Sequence, residues 1–139
     1  MTEAEFRSRK LVSIAPALPD DNPKTRFGVA KPPLHLIPAT ALAHEACAFR
    51  DGANKYGPYN WREAAVSSST YVGAALRHIN AWFNGETVAQ DSGVHHLAHA
   101  RACLAILIDA AECGKLNDDR PPAFELQPLL DRLTTPLKP

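Results

Sequence analysis

The distribution of proline constrains the fold of this chain more than any other feature of its sequence. Twelve prolines occur among 139 residues: seven lie within residues 16–58, five within residues 121–139, and none within residues 59–120. Proline lacks a backbone N–H and clashes with the preceding helical turn, so it is rare inside helices. The proline-free segment therefore predicts two or three long helices, and the flanking segments are expected to be extended or irregular.

The composition indicates one globular domain without a charge bias. A hydrophobic content of 45% is enough to form a core. The chain has 15 basic and 15 acidic residues and a formal net charge of zero. This balance argues against a general nucleic-acid-binding surface, although it allows a local basic pocket for a phosphorylated small molecule. No run of about 18 apolar residues occurs, so we expect no membrane span.

The N-terminus and the cysteines indicate a cytoplasmic protein. The first ten residues, MTEAEFRSRK, are charged and lack the apolar core of a secretory signal. Cys47, Cys103 and Cys113 are odd in number and form no CxxC pair. They are interpreted as small buried hydrophobic residues in a reducing compartment.

A first helix is predicted from Ala39 to about Arg50. The segment is rich in alanine, the best helix former, and Gly52 is a plausible C-terminal stop. Leu42, together with Cys47 and Phe49 further along, suggests an apolar stripe.

Two more helices are predicted inside the proline-free segment. The second spans Ser68–Phe83 and ends at Asn84-Gly85. Its apolar residues recur at the spacing of one buried face, and they are Val72, Leu76, Ile79 and Phe83. The third begins near Asp91 or Ser92, either of which is a good N-cap, and ends near Glu112 before Cys113-Gly114.

No stretch shows the alternation typical of a strand, so we predict an all-α bundle of three main helices. Residues 1–30 are interpreted as an N-terminal arm, residues 31–120 as the helical domain, and residues 121–139 as a tail with a short helix around Glu125–Leu133. Three helices give a thin core, so we expect a homodimer or homotetramer that completes it.

Three of the six histidines fall in one short stretch: His95, His96 and His99. Residues three or four apart share a helix face, so His99 with either of the others can place two imidazoles on one metal ion or one phosphate. Glu86 and Asp91 add carboxylates nearby. The histidines could instead cap or solvate the helix, but their density beside two acids favours a metal or phosphate site.

Histidines elsewhere in the helices are less distinctive. His78 follows Arg77 at the edge of the predicted buried face, where either a satisfied core histidine or a site residue fits. His44 and Glu45 lie among alanines, which leave room for a close helix or a ligand. From spacing alone, an exposed glutamate is the more usual outcome.

The stretch from Gly52 to Glu63 combines cations, amides and aromatic rings. Cations can meet phosphates, amides can read a base edge or a sugar hydroxyl, and flat rings can stack on a purine. A well-packed turn would use the same residues, so the two interpretations stay open. The residues are Lys55, Arg62, Asn54, Asn60, Tyr56, Tyr59 and Trp61. Other common signatures are absent, including GxGxxG, GxxxxGK[ST], GxSxG and HExxH.

Taken in order, several short blocks resemble a known family. They are KPPLHLIP (31–38), GANKYG (52–57), NWR (60–62), RH (77–78), GE (85–86), DSG (91–93) and HLAHA (96–100). The set resembles the phage dATP/dGTP diphosphohydrolase domain, which is grouped with the MazG-like, all-α nucleoside triphosphate pyrophosphohydrolases. The resemblance covers about residues 24–115. Within that family the chain looks like the MazZ-type enzymes of phages that replace adenine with 2-aminoadenine.

The resemblance implies a fold, a reaction and a cofactor. It implies a MazG-like helical bundle that cleaves a purine (deoxy)nucleoside triphosphate between the α and β phosphates with two or more Mg²⁺ or Mn²⁺ ions. Dimers or dimers of dimers are implied, with active sites near subunit contacts. The MazZ-type substrate would be dGTP or GTP in the host cytoplasm, and the dGMP produced would feed synthesis of 2-aminodeoxyadenylate.

The chemistry that this reaction needs, namely oxygen or imidazole ligands, cations and a purine contact, leads to candidate roles for individual residues. The expected metal site comprises Glu45, Glu86, Asp91, His96 and His99. Glu45, His78 and His96 are the candidate catalytic residues. The expected nucleotide contacts are Lys55, Tyr56, Asn60, Trp61, Arg62 and Arg77.

One departure from the family pattern affects the expected ligands. MazG-like enzymes usually bind metal through ExxE on one helix and ExxD on the next. This chain has His96-x-x-His99 on the third helix and no ExxE on the second. Either carboxylates elsewhere replace those ligands or the histidines bind metal or phosphate themselves, and imidazole would favour Mn²⁺ or Co²⁺ over Mg²⁺.

Two alternatives follow from the same sequence. The substrate could be dATP, because an asparagine or a backbone group can read either purine edge. The chain could also be a non-catalytic nucleotide-binding or assembly module that kept the scaffold and lost the usual ligands.

Overall fold

The structure is a computed structural model that describes residues 2–3 and 16–139. The chain divides into two compact units, residues 1–36 and residues 37–139. Residues 1 and 4–15 of the predicted N-terminal arm lie outside the described residues.

The described part of the first unit contains a short helix, α1 (Pro23–Gly28), and a 3₁₀ turn (Leu34–Leu36). Pro23 occupies the first turn of α1, where its missing N–H costs nothing. The Asn22 side chain caps the helix by accepting a hydrogen bond from the Lys24 N–H at 2.9 Å. A capped helix therefore lies within the segment expected to be a loose lead-in.

The second unit is helical, which confirms the all-α prediction. Its central helix α5 packs against both α2 and α4. Two very short strands pair in parallel, with Val66 opposite Leu116 and Ser67 opposite Asn117. In chain order the elements are α2 (Ala39–Tyr56), α3 (Asn60–Glu63), β1 (Val66–Ser67), α4 (Ser68–Phe83), α5 (His96–Glu112), β2 (Leu116–Asn117) and α6 (Leu126–Leu133).

Helix α2 is longer than predicted, because Gly52 lies inside it and does not end it. The helix continues to Tyr56 and stops at Gly57, which has a φ of 88°. Glycine adopts this positive φ readily, and the following Pro58 disfavours a helical conformation at residue 57. The first half of the stretch expected to be irregular is therefore helical.

Helix α4 has the predicted bounds, Ser68–Phe83, but its predicted buried face is wrong for the single chain. The four large apolar residues of that face are 38–82% exposed, and they are Val72, Leu76, Ile79 and Phe83. The helix buries Ser68 and Ala75 instead. Small residues let two helices approach closely, so α4 packs through small side chains and leaves its large apolar ones outside.

Helix α5 begins at His96, later than the predicted start at Asp91 or Ser92. His95 is the N-cap, and its Nδ1 accepts a hydrogen bond from the Leu97 N–H at 3.0 Å. The preceding segment is held as a loop by a bridge between Val88 and His95 and by Gly93, whose φ is 69°. The helix ends at Cys113-Gly114 as predicted.

The core of the second unit is built largely from alanine. Ala48, Ala98 and Ala102 form one buried cluster, and Trp61, Val66 and Ala110 form another. The expectation of buried cysteines is only partly met: the three thiols are free, Cys47 and Cys103 are half-buried, and Cys113 is exposed. Among the described residues, no helix combines the length and the apolar character needed to cross a bilayer.

The start of α4 is completed by a residue that lies far along the chain. Its own N-cap, Ser67, makes no side-chain cap. Asp119 accepts hydrogen bonds from the Ser69 N–H, at 2.8 Å, and from the Ser69 hydroxyl. Together with the β1–β2 pair, this contact ties the start of α4 to the segment after α5.

Candidate active site

One large cleft in the second unit, with a volume of about 990 Å³, is lined by α2, the turn after it, α3, α4 and α5. This volume is suitable for a small-molecule ligand of nucleotide size. Eight of the sequence-predicted site residues line it: Lys55, Tyr56, Asn60, Trp61, Arg62, His78, Asp91 and His99.

One side of the cleft is formed by residues 57–62 together with Asp109 of α5, which we call the turn wall. The Asp109 carboxylate accepts a hydrogen bond from the Trp61 indole N–H at 2.7 Å. It also accepts two from the Arg62 guanidinium, from Nε at 2.9 Å and from Nη2 at 2.8 Å. The Arg62 guanidinium, with the Trp61 N–H, holds the pKa of Asp109 well below its usual range, so this carboxylate stays ionised.

The aromatic rings of the turn wall contact one another in a tilted arrangement. The Tyr59 ring lies 5.2 Å from the Trp61 ring and 4.8 Å from the Arg62 guanidinium carbon. Tyr59 has a φ of 56°, a left-handed conformation that is uncommon for a bulky residue. Trp61 is buried and packs on Phe49 of α2, whereas Tyr59 is 57% exposed. Trp61 is thus an anchor, and the more accessible rings are those of Tyr56 and Tyr59.

Lys55, at the end of α2, is also partnered. Its ammonium group lies 3.0 Å from Asp51 Oδ2, one helical turn earlier, and this contact raises the pKa of Lys55. Both side chains line the cleft.

A second group of side chains, which we call the histidine cluster, reaches the cleft through two of its members, His78 and His99. The cluster consists of His78, His96, His99 and Glu86. His96 Nε2 lies 3.0 Å from Glu86 Oε1, and His96 Nδ1 lies 2.9 Å from His78 Nδ1. The rings of His78 and His99 stack at 4.6 Å. Glu86 and His96 do not line the cleft themselves, but His78 links them to it.

The contacts of the histidine cluster define the proton positions for the state in which Glu86 is ionised and His96 is neutral. A carboxylate only accepts, so His96 Nε2 donates to Glu86 and its Nδ1 is left as an acceptor. His78 Nδ1 must then donate to His96 Nδ1, which leaves a lone pair on His78 Nε2. Burial lowers the pKa of His78, as do the neighbouring His99 and His96, so the ring is neutral at pH 7.

His99 completes the cluster at the cleft surface. Its Nε2 lies 2.8 Å from the Ser92 hydroxyl oxygen, which also accepts a hydrogen bond from the Val94 N–H. Burial lowers the pKa of His99, while Asp51 and Asp91 oppose that shift through their negative charge. Asp91 does not cap α5 as expected, and its carboxylate accepts instead from the Ser92 N–H.

Four predicted site residues lie outside the cleft lining: Glu45, Arg77, Glu86 and His96. Glu45 is largely buried against Arg101, whose Nε and Nη2 donate to Glu45 Oε2 at 3.1 and 2.9 Å. Glu45 is therefore paired with a cation within the chain. Arg77 is exposed and lies on α4 directly before His78.

The expected metal ligands do not form a complete coordination shell. Within residues 2–3 and 16–139, no three His, Cys, Asp or Glu side chains converge to hold a metal ion. Mg²⁺ is commonly held by one or two carboxylates while phosphate oxygens and waters fill the remaining positions. Asp91, which lines the cleft, is a carboxylate suited to that mode.

Sequence reasoning missed several polar residues of the site. The partners of Asp109 lie 47 and 48 residues away in sequence, and the partner of Arg101 lies 56 residues away. No local sequence pattern therefore points to either residue. Ser92 was considered only as a helix cap. Asp51 gave a weak signal, because it precedes Lys55 by one helical turn.

The chain was compared with known proteins. The model of one family, described as dATP/dGTP diphosphohydrolase, N-terminal, matches residues 21–120. The match spans more than half of the chain, from α1 to β2, and includes both sides of the cleft. No curated protein and no solved structure matches. The chain therefore belongs to the dATP/dGTP diphosphohydrolase, N-terminal family, which places it at a general level among the pyrophosphohydrolases of purine deoxynucleoside triphosphates.

Proposed function

We propose that this protein hydrolyses dGTP or GTP between the α and β phosphates and releases dGMP or GMP and pyrophosphate. The observation that carries the proposal is the cleft, whose lining combines aromatic and amide side chains with a carboxylate and with two imidazoles of lowered pKa. The dGMP would supply synthesis of 2-aminoadenine nucleotides in the cytoplasm of a phage-infected host.

His78 is the proposed general base. Its Nε2 lone pair accepts a proton from water as the water oxygen bonds to the α phosphorus. The bond between the α phosphorus and the bridging oxygen breaks, and pyrophosphate leaves with that electron pair. His96 and Glu86 hold the His78 ring in the required tautomer, and Glu86 stabilises positive charge that reaches the imidazoles.

A triphosphate brings about four negative charges, and the charged side chains that line the cleft are largely paired. Two or more Mg²⁺ or Mn²⁺ ions would neutralise the phosphate charge and orient the attacking water. Asp91 and Glu86 are the carboxylates best placed to hold them, with His96 and His99 adjacent. Glu45 would need to leave Arg101 to take part. Lys55 and Arg77 are the proposed phosphate contacts.

Base and sugar contacts are assigned to Tyr56 and to the turn wall. Tyr56 and Tyr59 offer exposed rings for stacking, and the Asn60 amide can both donate to and accept from a purine edge. A dATP preference remains the rival hypothesis, because the same amide can read either purine.

Self-association is part of the proposal. Helix α4 exposes Val72, Leu76, Ile79 and Phe83 in a single stripe, which is the pattern of a helix face that packs against another chain. A homodimer or homotetramer would cover it. Light scattering should report more than one chain per particle, and Leu76→Glu should reduce that number. A monomeric wild-type protein would contradict this part.

The activity is tested by pyrophosphate release from dGTP, GTP and dATP with Mg²⁺, with Mn²⁺ and with EDTA. Pyrophosphate release from dGTP that occurs with Mg²⁺ or Mn²⁺ and stops in EDTA supports the proposal. Faster release from dATP than from dGTP supports the rival hypothesis of a dATP preference. His78→Asn should lower kcat by about 10²–10⁴-fold. The matched control is His35→Asn, which changes an exposed histidine in the first unit and should leave the rate unchanged. Metal-dependent binding without turnover would indicate the non-catalytic module.

A further inference from the structure

We propose that Asp109 is a positioning residue that holds the turn wall as a preformed surface for the nucleoside, an inference that rests on the proposed function. Asp109 belongs to α5, whereas Trp61 and Arg62 belong to α3, so its three hydrogen bonds join two elements. Neither the sequence pattern nor the family match assigns this residue a role.

Both lines of contact from Asp109 lead to Tyr59. Along one, Asp109 fixes the Arg62 guanidinium, which lies over the Tyr59 ring at 4.8 Å. Along the other, it fixes the Trp61 indole, which contacts the same ring at 5.2 Å. Tyr59 is exposed in the cleft and has a left-handed backbone, so the neighbouring contacts must determine where its ring lies.

The charge of this arrangement suits a nucleobase better than a phosphate. Asp109 and Arg62 form a bidentate pair, so the positive charge of Arg62 is balanced by a carboxylate in direct contact. What the pair presents to the cleft is a charge-balanced guanidinium whose carbon lies 4.8 Å from the centre of the Tyr59 ring. Arg62 therefore supports binding of the nucleoside, and the phosphate contacts are left to Lys55 and Arg77.

The kinetic consequence follows from where the wall acts. A wall that stacks on the base contacts the substrate equally before and during the chemical step, so damaging it raises KM and leaves kcat unchanged. Stacking of a base on an aromatic side chain is strong enough to give a change of about tenfold or more.

The test uses two variants that alter the contact without removing bulk. Asp109→Asn removes the charge and the bidentate geometry, and Arg62→Lys keeps the charge but loses the planar fork. Both should raise KM for dGTP about tenfold with kcat within about twofold of wild type. The control Asp118→Asn breaks an Asp–Arg pair outside the cleft, with Arg120, and should change neither constant. If Arg62 acts instead as a phosphate cation, Arg62→Lys keeps its KM and the inference fails.

A second readout does not depend on turnover. The chain has two tryptophans, so Trp82→Phe leaves Trp61 as the sole emitter. In that background, Asp109→Asn should shift the Trp61 emission to longer wavelength and increase quenching by acrylamide. If the wild-type protein is active and Asp109→Asn changes neither the Trp61 emission nor KM, the positioning role is overturned. Absence of turnover in the wild-type protein would overturn the proposed function, and the fluorescence shift would still report the contact.

Discussion

The two sides of the cleft satisfy their polar groups in different ways. In the turn wall, Asp109 binds Trp61 and Arg62 through charged hydrogen bonds that leave no titration near neutral pH. In the histidine cluster, imidazole rings bond to one another, and a lone pair remains on His78 Nε2 when His96 is neutral. The first arrangement fixes shape, and the second can gain or lose a proton or a ligand. Substitutions in the turn wall should therefore change stability and substrate binding, whereas substitutions in the histidine cluster should change the catalytic rate.

The largest expected effect is on stability, at the anchor of the turn wall. Trp61→Ala removes a buried indole from the cluster with Val66 and Ala110, and it should lower the free energy of unfolding by about 3–5 kcal/mol. Denaturant unfolding measures this change. Trp82→Ala alters a 42% exposed tryptophan on α4 and is the matched control, for which a much smaller loss is expected. Equal losses would mean that Trp61 does not anchor the wall.

A substitution in the histidine cluster should lower the catalytic rate and leave the stability of the protein nearly unchanged. Glu86→Ala removes the acceptor that sets the His96 tautomer, and we expect kcat to fall by about 10–100-fold. Glu86 is exposed, so the melting temperature should stay close to that of wild type. Steady-state kinetics and thermal unfolding test the two parts separately. The control is Glu125→Ala, which changes an exposed glutamate next to α6. A similar fall in kcat in this control would contradict the role of Glu86.

Substitution by alanine should change the free energy of unfolding in opposite directions at two glycines. Gly57→Ala places a Cβ at a φ of 88° at the start of the turn wall, and it should destabilise the protein by about 1 kcal/mol or more. Gly52→Ala falls in the interior of α2 with no atom within 4 Å of the new Cβ, and it should stabilise by about 0.5–1 kcal/mol. A stabilising Gly57→Ala would contradict the assigned end of α2.

The smallest expected effect is a pH dependence that arises on one side only. Folding lowers the pKa of His78 and of His99 from 6.5, so the folded state favours their neutral forms. This stability is present above pH 6.5 and is lost as the pH falls through the lower pKa of the folded state. The melting temperature should therefore decrease from pH 7.5 to pH 5.5, and less so in His78→Asn. Asp109 remains ionised over this range, so Asp109→Asn should leave the slope unchanged.

Local patterns predicted what is local in this molecule. The bounds of α4 follow from a helical pattern that ends in Asn-Gly, and six cleft residues between Lys55 and Arg62 could be selected because they are close in sequence. The predicted start of α5 was wrong because Asp-Ser-Gly is as good a turn as it is a helix cap. Gly52 was a wrong stop because a helix tolerates glycine when a stronger signal, Gly57-Pro58, follows it.

Tertiary contacts account for the remaining errors. An apolar stripe shows that α4 is amphipathic, but close packing selected the face of Ser68 and Ala75, and the periodicity of large residues does not report that choice. The partners of Glu45 and Arg62 are Arg101 and Asp109, which lie far away in sequence. Asp109 in particular has no sequence signal beyond being an acid in a helix.

The contact between Asp119 and the start of α4 has a consequence for biosynthesis. The residue that caps α4 and the strand that pairs with β1 are both translated after α5 is complete. While the ribosome is still adding α5, the first turn of α4 has unsatisfied N–H groups and β1 has an open edge. A nascent chain that stops before Leu116 lacks both closures, so the helices of this unit can complete their native contacts only after Asp119 has been translated.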